Sequence, residues 1–131
     1  MAANVNPIFT LTPVIGIVSI STANANLDGT GTIGTVITGG TDGTRISKIT
    51  IKALVTTTAG MLRLFIDNGA TINLWKEILV SAITPSATVA SFSNVLELFG
   101  EDALVLPSSY VLKASTEKAE SFMIIAEGGN Y

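Results

Sequence analysis

The chain has 131 residues, 47 % of them hydrophobic and only 13 % charged, with a formal net charge of -3 and neither Cys nor His. The missing Cys rules out disulfides and thiolate sites, and the missing His removes the commonest general base and metal ligand, which closes zinc and triad chemistry. An isoelectric point of 4.7, with basic residues scattered from Arg45 to Lys118, argues against a nucleic-acid partner, because a phosphate-binding face needs clustered cations.

An ordinary soluble domain carries about 25 % charged residues. This one, with a mean hydropathy of +0.56, has more apolar surface than a lone subunit hides easily, so it reads either as a membrane protein or as an oligomer whose subunits cover one another. The uncharged stretch Met1 to Leu27 bears on that choice. Its Asn, Thr and Ser residues, with Pro7 and Pro13, interrupt it too often for a spanning helix of about 20 apolar residues. It also lacks the basic start of a secretory signal. An outer-membrane barrel needs at least about eight long strands and aromatic girdles, against one Trp, two Tyr and five Phe here. The expectation is one domain, no membrane, and self-association.

Residues 8–20 are kept extended by the two prolines and are apolar on both faces. They read as an arm or first strand, covered within the domain or docked on a neighbour. Residues 21–44 are a Gly/Thr/Asn-rich loop and edge with a short strand at 32–38. Their glycines form neither GxGxxG nor a Walker sequence, so no phosphate cradle is expected.

Residues 45–83 organise the chain. Ile49, Ile51, Ala53 and Val55 alternate with Lys48, Thr50 and Lys52, and Leu62, Leu64 and Ile66 alternate with Met61, Arg63 and Phe65. The Asp67-Asn68-Gly69-Ala70 break is a tight reversal. The third run has apolar residues on both sides, Leu74, Ile78 and Val80 against Trp75, Leu79 and Ile83. Together these predict a three-stranded meander.

Beyond Pro85, residues 87–99 drift between periods and read as two short strands, one bulged strand or a helical turn near Leu96. Glu97, Glu101 and Asp102 form an acidic patch without the ligand alternation of a calcium loop, and they read as solvated carboxylates. Strands follow at 110–114 and 121–127.

About eight strands and no convincing helix predict an all-β antiparallel sandwich, jelly-roll-like, over residues 21–131, with residues 1–20 as the extended arm. The expected core is Ile49, Ile51, Val55, Leu62, Leu64, Ile66, Phe92, Leu112, Phe122 and Ile124. Met61, Phe65, Trp75, Leu79, Met123 and Ile125 remain on the opposite faces, and with Ile8, Phe9, Leu11, Ile15 and Ile17 of the arm they form the candidate interface.

The neutral Thr/Ala/Gly/Val-rich opening, the centre ITIKALVTTTAGMLRLFIDNG and the lack of Cys and His resemble the small virion structural proteins of tailed bacteriophages, above all capsid decoration or cement proteins. The resemblance implies a non-enzymatic β-sandwich, often trimeric, without cofactors. Such a protein is made in the host cytoplasm and sits on the capsid, reinforcing the major capsid protein. Head-fibre and tail proteins share this texture. A small carbohydrate-binding module, with Trp75 and Tyr110 as stacking platforms, is the competing class.

Overall fold

A computed structural model describes residues 9–99 and 102–131. Among these are nine strands: β1 (Thr12–Ile20), β2 (Gly34–Thr38), β3 (Thr44–Ala53), β4 (Gly60–Asp67), β5 (Ile72–Val80), β6 (Ser93–Glu97), β7 (Leu104–Leu106), β8 (Val111–Thr116) and β9 (Phe122–Asn130). They form two antiparallel sheets packed as a β-sandwich. The five-stranded sheet runs β1-β9-β3-β6, with the short β7 also paired to β3, and the four-stranded sheet runs β2-β8-β4-β5.

The pairings nest. β4 pairs with β5, β3 with β6, β2 with β8 and β1 with β9. Such an order arises when a long antiparallel hairpin with its tip between β4 and β5 rolls up, so that successive strand pairs alternate between the two sheets. This corrects the expected meander. β4 and β5 are a hairpin, but β3 lies in the opposite sheet, because periodicity fixes which face of a strand is apolar and not which sheet it joins.

The hairpin turn follows its sequence. Gly69 takes the positive φ of 91°, and the Asn68 side-chain oxygen accepts from the N–H groups of Ala70 and Thr71. Further along β5 a bulge pairs Leu64 with Lys76 but Phe65 with Leu74. The extra residue, Trp75, reverses the facing of what precedes it, so Leu74 is exposed while Ile78 and Val80 stay inside.

The core lies between the sheets. Ile46, Ile49, Ile51, Phe122 and Ile124 come from one side, Leu62, Leu64 and Leu112 from the other, all essentially without solvent contact. Each contributes roughly 1.5–3 kcal/mol of burial before entropy is charged. Phe92 meets Phe122 edge-on at 6.4 Å. Of the expected core, Ile66 is partly buried and Val55 is exposed, since β3 ends at Ala53 and the chain leaves the sheet while the alternation continues. Residues 87–99 hold one strand, β6, and β7 was not foreseen.

One side of the sandwich is closed by a close approach of β1 to β2. A Cβ at Gly16 would run into the Val36 carbonyl oxygen and the Ile37 side chain. The opposite side, between the β5 and β6 edges, is open.

Candidate functional site

β1 is not a free arm. Nine register positions pair it with β9, from Thr12 opposite Asn130 to Ile20 opposite Phe122. Residues 12–20 are therefore an integral strand of their own sheet. Its even-numbered residues turn inward, leaving Ile15 and Ile17 63 % and 60 % exposed on the outer face. Ahead of the strand, the Leu11 N–H donates to the Asn130 carbonyl at 2.7 Å, yet Phe9 and Leu11 are 76 % and 83 % exposed. Ile8 lies outside the described residues.

The outer face of the five-stranded sheet is ordered in rows. Ile17 is opposite Ile125, Ile125 opposite Thr50, and Thr50 opposite Val95, which gives an apolar stripe across four strands. Beside it run Ile15, Glu127, Lys48 and Glu97, and on the other flank Ser19, Met123, Lys52 and Ser93. Lys52 donates to the Ser91 carbonyl at 3.1 Å, whereas no salt bridge joins Lys48 to Glu127 or Glu97.

The outer face of the four-stranded sheet is built differently. Phe65 stands on the opposite side of β4 from the core residue Leu64 and outside the central cluster, and still has no solvent exposure. The loop of residues 21–33 accounts for this. Its near end is pinned by the Asn24 N–H to the Thr116 carbonyl at 2.8 Å, and the Asn24 amide donates to the Thr30 and Thr32 carbonyls, both at 2.9 Å. Its tip reaches β5, where Gly29, at φ 82°, lies so close that a Cβ would stand 2.5 Å from the Ile72 side chain. The loop thus spans from β8 to β5, over β4.

Ion pairs finish the cover. Arg63 reaches Glu77 at 3.3 Å and Glu117 at 3.9 Å, and Lys113 meets Asp67 at 2.9 Å. The Lys113 hydrogen bond, helped by the Gly69 N–H, holds the Asp67 carboxyl below its ordinary range. Thr30 does the same to Asp28 through its hydroxyl and its N–H. Met61 is half-buried on this face and Leu79 is 68 % exposed at the β5 edge.

At the open side, a cleft of about 380 Å³ is lined by Trp75, Lys76, Leu96, Glu97, Leu98 and Asp102. Trp75 packs partly against the core, and the Lys76 ammonium lies 5.0 Å from its ring centroid. Tyr110 packs on the core elsewhere and does not line this cleft, so the two aromatics are not brought together. Of the acidic patch, Glu97 and Asp102 line it and Glu101 lies outside the described residues. Among the described residues no group of three or more acidic side chains is placed to hold a metal ion, and no helix is long and apolar enough to cross a membrane.

The structure therefore divides the candidate interface. Ile15, Ile17, Met123 and Ile125 share one outer face, Met61, Phe65 and Leu79 belong to the other sheet, and Trp75 sits in the cleft. Phe65 presents no surface to a partner. Sequence reasoning overlooked Val95, whose place beside Thr50 depends on the β3–β6 register. Compared with known families and curated proteins, the chain matches no family model and no curated sequence.

Proposed function

We propose that this is a non-enzymatic assembly protein of the virion, a capsid decoration or cement protein that binds the major capsid protein or another shell component through protein–protein contacts. The observation that carries the reading is the lead-in to β1. Phe9 and Leu11 are almost fully exposed although the strand behind them is hydrogen-bonded into its own sheet. Two large apolar side chains held in water at a fixed strand end are suited to insertion into a partner's surface. The nested strand pairing supports a jelly-roll reading once the short β7 is set aside, and that architecture serves viral capsid domains and lectins alike. Co-sedimentation with undecorated heads of the encoding phage tests the proposal. Stoichiometric binding is expected from the intact protein, and the variant with Phe9→Ser and Leu11→Ser should stay folded by circular dichroism while losing it. A folded protein that never co-sediments would sink the shell-binding role.

The Trp75 cleft favours a second reading, a glycan-binding sandwich. Its stacking face is already occupied by the Lys76 ammonium, which a sugar must displace. Quenching of the single Trp by an oligosaccharide identified on a glycan array would promote this reading above the first.

A further inference from the structure

The outer face of the five-stranded sheet is complementary to itself, and we propose that it pairs with a second copy of this chain about a two-fold axis parallel to the strands, between β9 and β3. Each copy presents its strands in the order β1, β9, β3, β6. Rotation about that axis reverses the order while keeping every row at its own level, so β1 faces β6 and β9 faces β3. In the charged row, Glu127 of one copy then meets Lys48 of the other, and Lys48 meets Glu127. In the apolar row, Ile17 meets Val95 and Ile125 meets Thr50. The stem of Lys52 covers Met123 in the third row.

The other face-to-face two-fold, with its axis across the strands, inverts the rows instead. It sets Lys48 against Lys52 of the second copy, so like charges are opposed at the centre of the patch, whereas the first arrangement opposes no like charges and places only Ile15 against Glu97 at its margins. Charge pattern therefore selects one of the two arrangements. Aligned sheet packing, with strands within about 30° of each other, keeps the central β9 and β3 positions in contact. Lys48 is suited to this partner, since among the described residues no salt bridge holds it. The patch is four strands wide, roughly 19 Å, and about three alternate residues long, roughly 14 Å, well under the roughly 800 Å² per partner of a standard interface, so the pairing is weak and transient and rests on its charge complementarity.

This surface differs from Phe9 and Leu11, so the pairing and the shell-binding role stand or fall separately. The experiment is sedimentation velocity from micromolar to sub-millimolar concentration. The wild type should show a monomer–dimer equilibrium, where the phage-protein resemblance implies a trimer. Lys48→Glu alone and Glu127→Lys alone each oppose like charges in a homodimer and should weaken it about tenfold or more. An equimolar mixture of the two restores both pairs and should recover a one-to-one heterodimer, an outcome that misfolded variants cannot give. Ile17→Glu should also abolish the dimer, with its far-ultraviolet circular dichroism unchanged. A wild type that stays monomeric or forms trimers overturns the proposal, as does a mixture no more dimeric than its components.

Discussion

The two outer faces of this sandwich read alike in sequence and are finished differently in structure. On the four-stranded sheet the chain returns to cover itself: the 21–33 loop crosses from Thr116 to Ile72, ion pairs flank it, and Phe65 lies dry beneath. On the five-stranded sheet Ile17 and Val95 remain open to solvent. An apolar residue at an outward strand position is therefore no measure of an interface until the course of the loops is known. A Gly/Asn/Thr-rich loop with no hydrophobic periodicity can close a face that the strands leave apolar.

The largest test of this contrast is Phe65→Ala against Ile17→Ala in the monomeric protein. Removing the covered ring should cost about 3–5 kcal/mol in denaturant unfolding, whereas the exposed isoleucine should change stability by no more than about 0.5 kcal/mol. Equal losses would mean the two faces are equally closed. Next in size is Gly29→Ala. It forces a side chain onto left-handed backbone, at about 1–2 kcal/mol, and drives a methyl group into Ile72. Faster amide exchange at residues 24–32, with β9 amides unchanged, is the expected signature. Unaltered exchange would show that the tip does not hold the loop down.

The smallest effect is a pH dependence confined to the covered face. Asp67 and Asp28 have folded pKa values lowered by Lys113 and Thr30, so each contributes stability that is full above its unfolded pKa and lost as pH falls through the folded value. The window is the acid range below about pH 4. Melting temperatures of wild type and Asp67→Asn should differ at neutral pH and converge there. A difference that persists into strong acid would remove the Lys113 hydrogen bond as its cause.

Much of the sandwich was legible because the inward period-two positions of β3, β4, β8 and β9 are apolar, and Ile49, Leu62, Leu112 and Ile124 among them are indeed the core. Val55 misled because alternation outlasts the strand by two residues, past the point where the Leu54 N–H turns to the Ser121 carbonyl. Trp75 misled because a bulge moves register without leaving a composition signal. The apolar stripe was only half legible: Ile17 and Ile125 stood out as apolar, but their adjacency, and the addition of Val95, depends on pairing between strands far apart in sequence, which no local period encodes.

The place of β9 has a consequence for how the protein is made. It lies between β1 and β3, yet it is the last of the described strands to be synthesised. Until it emerges, β1 has no partner in its sheet and β3 offers an unpaired edge along most of its length, while the hairpin of β4 and β5 is already complete. Loop closure between segments this distant is slow, and open apolar edges recruit other chains. The nascent protein therefore passes through an interval, ended only by insertion of β9, in which crowding by neighbouring copies on a polysome favours exchange of that strand between chains.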